Sequence, residues 1–116
     1  MISAEEGAVL AAREARDSKG KDVIVIDLRG ISVVTDFFVI CSGDSDIQVQ
    51  SIARNIKEKL IEAGIEFLRM EGYADAHWVL LDFGDIVVHV FHQETREFFG
   101  LERLWGDAPR VEFDAV

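Results

Sequence analysis

Residues 78–91 form a long apolar stretch with one short polar interruption, and this pattern constrains the fold more than any other. Apolar side chains run up to the tetrapeptide at positions 82–85, Asp-Phe-Gly-Asp, and resume directly after it. The pattern predicts a β-hairpin, in which Gly84 can adopt the positive φ that such turns often need. Trp78 and His89 lie inside the predicted strands, where a polar atom is costly unless something hydrogen-bonds to it. The hairpin is therefore also a candidate functional region.

The length and composition predict one folded domain. With 116 residues, 49% of them hydrophobic, and a single proline, the chain can bury a core without disulfides. We predict a domain over residues 1–105 and a loosely ordered tail over residues 106–116. The lone Cys41 lies in an apolar run, which indicates a buried thiol in a reducing compartment. No stretch approaches the roughly 20 apolar residues that cross a bilayer, so we predict a cytoplasmic protein without a membrane partner.

The charge balance narrows the class of partner. Lys and Arg number 12 against 22 Asp and Glu, which gives a formal net charge of -10. Affinity for nucleic acid depends on counterion release by cationic side chains, so this balance disfavours free DNA or RNA as a direct partner. A basic protein surface is a suitable partner, because opposite fields accelerate encounter. The plainer alternative is that the acidity only keeps the protein soluble.

Helix caps and apolar runs define the order of elements along the chain. The predicted elements are a helix capped by Ser3 and ending before Gly20, strands over 22–28 and 37–41, a helix capped by Ser45, a strand over 65–70, the two hairpin strands, and a helix over 94–105. Strand 22–28 is apolar on both faces, which predicts a central position in the sheet. The fold class is thus α+β (α/β-like), a single mixed five-stranded β-sheet with helices packed on it.

Three aspartates suggest a catalytic alternative. Asp44 and Asp46 follow a strand and a glycine, and Asp82 ends a later strand, so together they could hold Mg²⁺ for nucleotidyl or phosphoryl transfer. Against this, Asp44 and Ser45 already lie where cap residues are needed, and positions 31–49 contain no Lys or Arg to bind a triphosphate. The cap interpretation is the better one.

Histidine and tryptophan each allow a functional and a structural interpretation. His89 and His92 are three residues apart across a strand end, and the only cysteine lies on another strand, which is a poor pattern for a shared metal. We therefore predict no metal and no cofactor. Trp78 and Trp105 fit a core position, and tryptophan is equally the residue most enriched in binding hot spots.

Most of the chain from Val23 onward resembles the ribosomal silencing factor family, also called the Iojap-like family. No single segment is specific, but the segments occur in the family's order and spacing. The matching segments are residues 27–28, 32, 35–43, 48–53, 71–72, 78–91, 96–99 and 101–105.

The resemblance implies a nucleotidyltransferase-like topology without enzymatic activity. It also implies binding to the large ribosomal subunit, through a basic ribosomal protein at the subunit-joining face. The bound factor would block association with the small subunit and lower translation when nutrients run short. Members of the family also tend to self-associate, so the resemblance makes a homodimer a possible competitor of docking.

We place the predicted docking surface on the hairpin. Two-residue alternation puts Trp78, Leu80 and Asp82 on one side of a strand, where aromatic and aliphatic anchors would be flanked by carboxylates that meet Lys or Arg. Asp85 and His89 would extend this surface. The predicted set also includes the turn residues Phe83 and Gly84 and, at the margin of the surface, Trp105.

Overall fold

The computed structural model describes residues 2–113, in which helices and strands follow the predicted order. Three α-helices accompany a five-stranded mixed sheet, which confirms the α+β class. The elements are α1 (Ala4–Asp17), β1 (Lys21–Asp27), β2 (Phe37–Gly43), α2 (Asp46–Glu62), β3 (Arg69–Glu71), β4 (Trp78–Asp82), β5 (Ile86–His92), α3 (Gln93–Phe99) and a 3₁₀ helix (Leu101–Trp105).

The N-termini of the two long helices use the predicted cap residues. At α1 the Ser3 hydroxyl accepts from the Glu6 N–H at 3.1 Å, and the Glu6 carboxylate accepts from the Ser3 N–H at 2.9 Å, which completes a capping box. At α2 the Ser45 hydroxyl accepts from the Gln48 N–H, while the Gln48 side chain bonds to the N–H of Asp44. The Gln48 side chain therefore reaches one residue beyond the Ser45 cap, to the N–H of the preceding residue.

The sheet has the strand order β1-β2-β5-β4-β3, and the hairpin lies within it. Strands β4 and β5 pair antiparallel, with Gly84 at φ 86° in the turn between them, as predicted. Strands β2 and β5 pair in parallel, which makes the sheet mixed. The register places Asp82 opposite Val87, and Val87 next to Phe38, in one row across the sheet.

The predicted central position of β1 is wrong, because β1 is the first strand of the sheet. Its backbone is nevertheless covered: the Asp27 N–H donates to the Pro109 carbonyl at 2.8 Å, and the Val111 N–H donates to the Val25 carbonyl at 2.9 Å. This cover allows an edge strand to be apolar on both faces. Residues 109–111, part of the segment predicted as a loosely ordered tail, thus lie along β1, while residues 114–116 lie outside the described chain.

The single helix predicted over 94–105 is also wrong. Gly100 adopts φ 53° and ends α3, after which the chain continues as the 3₁₀ helix Leu101–Trp105. The positive φ favours glycine at position 100, because L side chains rarely adopt that backbone angle. The break redirects the chain across the sheet toward β1.

The two faces of the sheet are covered differently. Helices α1 and α2 pack on one face, and the side chains beneath them form the main core. On the second face a smaller cluster forms near β1, where Leu101, Trp105 and Ala108 cover Ile26 and Ile40. The half of the second face that belongs to β4 is covered only in part: Phe99 of α3 packs on Trp78 at 5.0 Å, whereas Leu80 and Asp82 stay half-buried. This half carries the predicted surface.

Candidate functional site

Strand β4 separates its side chains between the two faces as the alternation predicts. Val79 and Leu81 are fully buried beneath the helices. Trp78, Leu80 and Asp82 lie on the second face and are each half-buried. The predicted alternation of these three side chains is therefore confirmed.

An apolar groove of about 380 Å³ runs along this part of the second face. Its floor includes Leu80, with Val87 and Phe38 on the neighbouring strands. The exposed side chains of Val34 and Leu68 stand at its edges. Sequence reasoning did not single out these four additional residues, since each lies in an apolar run or loop without any chemical signal of its own. Only the strand order brings them together.

Trp78 is held in place by His89. The indole N–H donates to Nδ1 of His89 at 3.1 Å, and the Trp78 ring also packs on Phe91 and Phe99, with centroid distances of 4.8 and 5.0 Å. His89 is only 4% exposed, and burial lowers its pKa to about 4. Because Nδ1 accepts a hydrogen bond, the neutral ring carries its proton on Nε2. His89 therefore orients the indole from below and presents little surface of its own.

Asp82 lies at one end of the groove with its carboxylate partly exposed. One oxygen accepts from the Gly84 N–H at 2.8 Å, and the other is 3.5 Å from Nε of Arg69 on β3. Asp85, at the other end of the turn, is exposed. The arrangement provides two carboxylates beside an apolar groove, which suits a cationic side chain with an aliphatic stem.

The remaining predicted residues fall in three different environments. Gly84 lines the groove. Phe83 is 7% exposed on the helix-covered side, where its ring packs on Phe67 at 5.5 Å, so this placement argues against direct contact with a partner. Trp105 is half-buried at the margin of the groove, with its ring 6.0 Å from that of Phe38, and Leu104 beside it is exposed. The turn thus directs one of its residues inward.

The strand directions separate the three aspartates of the catalytic alternative. Asp44 and Asp46 follow the end of β2, where Asp44 forms an ion pair with Lys21 at 2.7 Å. Asp82 lies near the start of β2, because it pairs with Val87 on β5, and Val87 pairs in turn with Phe38 on β2. Six residues of strand, roughly 20 Å, therefore separate the two ends. Across residues 2–113 no group of three or more His, Cys, Asp or Glu side chains could hold a metal ion.

Two further sequence-based observations concern Cys41 and the helices. Cys41 is fully buried on the helix-covered face, and burial raises the pKa of its thiol to about 12, as an inert thiol requires. Within the described residues, every helix is too short or too polar to cross a membrane.

A partly covered sheet face with an apolar groove and flanking carboxylates defines a protein-docking module more readily than a catalytic pocket. Comparisons with known proteins agree. The family described as RsfS, ribosomal silencing factor during starvation, matches residues 2–116. The ribosomal silencing factor RsfS of Halalkalibacterium halodurans is 49% identical over 115 residues, which cover 99% of this chain and 98% of that protein.

Two further relatives extend the match. The ribosomal silencing factor RsfS of Bacillus subtilis is 50% identical over 105 residues, covering 90% of this chain and 89% of that protein. A crystal structure of a Chromobacterium violaceum protein aligns with a TM-score of 0.88 at 34% identity, covering 99% of this chain and 95% of that one. The class is therefore that of ribosome-binding factors that are not enzymes.

The chain belongs to the ribosomal silencing factor family. Membership implies binding to the large ribosomal subunit. It also removes the transferase alternative, in agreement with the separation of Asp44 and Asp46 from Asp82.

Proposed function

We propose that this protein docks through the open half of its second sheet face onto a basic protein of the large ribosomal subunit. Docking at the subunit-joining face would block association with the small subunit and repress translation when nutrients are limiting. The observation that carries this proposal is the apolar groove with Asp82 in its lining, on a protein with a net charge of -10. Asp85 is exposed at the adjoining turn. A groove of this kind complements a basic protein surface and repels the phosphates of rRNA.

The residues of the proposed surface divide into anchors and rim. Leu80 inside the groove and Trp78 beside it on the same face of β4 present the apolar area, where binding energy would concentrate. Asp82 and Asp85 would meet Lys or Arg side chains at the rim, where they contribute mainly to the rate and specificity of association. Trp105 borders the same surface from the side of the 3₁₀ helix.

Three further expectations belong to the proposal. The single, buried Cys41 and a ribosomal partner both suit the cytoplasm. The fold would descend from nucleotidyltransferases, with the Gly-Asp-Ser-Asp segment at 43–46 retained as strand end and helix cap rather than as a site. A homodimer would use the open sheet face, since an uncovered apolar surface also suits a second copy.

Co-sedimentation with separated large and small ribosomal subunits, at moderate and at high salt, tests the proposal. We expect the protein to sediment with the large subunit alone, and to be released as salt rises, because rim charges contribute to binding. Asp82→Lys should weaken binding through charge repulsion while the fold stays intact. Glu58→Lys makes the same charge change on the exposed side of α2 and should bind as the parent protein does.

Two results would contradict the proposal. A folded protein that sediments with neither subunit would leave the family resemblance without the proposed activity. Equal weakening by Asp82→Lys and Glu58→Lys would mean that net charge matters and that the groove is not the contact.

A further inference from the structure

Arg69 is a cation placed at the carboxylate end of an otherwise apolar groove. It lies directly opposite Asp82 in the β3–β4 pair, and its Nε is 3.5 Å from the Asp82 carboxylate. The same nitrogen is 3.0 Å from the carboxylate of Glu71. Arg69 is 62% exposed, whereas Asp82 is 21% exposed, so the arginine lies over the carboxylate from the solvent side.

The groove offers room for a second cationic side chain, one that belongs to the partner. From Asp82 its floor continues through Val87 to Phe38, with Leu80 alongside. A Lys or Arg side chain of the partner can place its aliphatic stem on this floor and its charged head at Asp82. One oxygen of Asp82 already accepts from the Gly84 N–H, so a partner cation would share the other oxygen with Arg69. Two like charges that close to each other repel, which sets them in competition.

We propose that Arg69 is an internal competitor for Asp82, which it neutralises in the free protein and yields to a basic side chain of the ribosomal partner on docking. This inference rests on the proposed function and predicts the direction of one change in affinity: removal of the positive charge at position 69 tightens binding to the large subunit. Exposed ion pairs are weak, so Arg69 can be displaced without a large penalty. The contact therefore tunes affinity and does not lock the surface.

The effect is measured as the equilibrium affinity for isolated large subunits at low salt. We expect Arg69→Gln to bind about two- to five-fold more tightly than the parent, the range that an exposed ion pair supports. Arg69→Lys keeps the charge and should bind as the parent does. Lys59→Gln removes a charge from the exposed side of α2 and measures the effect of net charge alone.

A double-mutant cycle identifies the carboxylate through which Arg69 acts. In an Asp82→Asn background, Arg69→Gln should no longer tighten binding, because no carboxylate charge remains at position 82 for which two cations could compete. In a Glu71→Gln background the tightening should persist. Circular dichroism and thermal melting confirm that each variant is folded, which is expected because residue 69 is exposed at the end of the sheet.

Each other outcome overturns the inference. Arg69→Gln that binds like Lys59→Gln shows no competition, and weaker binding makes Arg69 itself a contact with the partner. Tightening that survives in the Asp82→Asn background excludes action through Asp82. If Asp82→Asn weakens binding while Arg69→Gln changes nothing, the inference fails and the proposed function stands; if the parent does not bind the large subunit, both fail.

Discussion

The two faces of strand β4 both carry large apolar side chains, and they differ in what covers them. Val79 and Leu81 on one face are fully buried under α1 and α2. On the other face Leu80 remains half-buried in the groove, and Trp78 beside it is half-buried although Phe99 of α3 packs on its ring at 5.0 Å. An apolar side chain becomes part of the core where the fold covers it completely, and where the cover is incomplete it leaves a surface that suits the proposed docking.

Truncation of a buried leucine gives the largest expected contrast between the faces. Leu81→Ala should lower the free energy of unfolding by about 2–5 kcal/mol, because it leaves a cavity among side chains that cannot collapse into it. Leu80→Ala, its neighbour on the open face, should cost about 1 kcal/mol or less and should weaken docking instead. Chemical denaturation measures both. Equal losses of stability would mean that the two faces are equally part of the core.

Acidification should destabilise the protein through the buried imidazole beneath the open face. The pKa of His89 is lowered from 6.5 to about 4, so between these values the unfolded chain binds a proton that the folded protein does not. Stability contributed by the neutral ring is complete above pH 6.5 and is lost as pH falls toward 4, by up to about 3 kcal/mol. Protonation also removes the acceptor of the Trp78 N–H.

Unfolding free energies measured between pH 4 and pH 7 check this prediction. His89→Leu should show a flatter dependence on pH in that window, although it is less stable at pH 7 because the indole loses its partner. His77→Ala, at an exposed position, should keep the slope of the parent protein. If the unfolding free energy of His89→Leu depends on pH as steeply as that of the parent protein, other groups cause the pH dependence.

Loss of the aromatic anchor should affect binding most. Trp78→Ala should weaken docking on the large subunit by about 2 kcal/mol, roughly 30-fold, as expected of a hot spot. Trp78→Phe keeps an aromatic ring for Phe91 and Phe99 but lacks the N–H, and it should lose less. Binding is measured by sedimentation at a temperature where both variants are folded. A Trp78→Ala protein that binds normally but melts early would make this tryptophan structural only.

The smallest expected effect is at Cys41 on the sealed face. Burial raises the pKa of its thiol to about 12, so the reactive thiolate is scarce at pH 8. The folded protein should resist iodoacetamide, and the unfolded chain in guanidinium should react readily, as mass spectrometry can measure. Labelling of the folded protein at the unfolded rate would show that this face opens frequently.

Local signals in the sequence predicted the hairpin and its alternation correctly. The apolar run around Gly84 identified both strands, and the two-residue period assigned Trp78, Leu80 and Asp82 to a common face. The cap at Ser3 likewise depends on only four residues. Such features are determined within a turn or a strand and require no knowledge of the rest of the chain.

Features that depend on distant parts of the chain were not predictable in this way. Strand β1 is apolar on both faces whether a neighbouring strand or the segment 109–111 covers its edge, so its position was misassigned. Phe38 enters the groove only because β2 pairs with β5. Each outcome is decided by strand order, which leaves no mark on the local sequence.

The way the sheet ends at its two sides determines how the protein can associate with itself. Residues 109–111 pair with the outer backbone of β1, while β3 is only three residues long, with Arg69 and Glu71 as two of them. Neither side offers a long, flat row of free amides and carbonyls, so growth of fibres by strand addition is disfavoured. The proposed homodimer would then have to use the open face, where pairing would exclude the proposed docking on the ribosome. A paired form at high protein concentration and a form that docks on the ribosome would then be alternative states of one surface, and dilution alone would convert the first into the second.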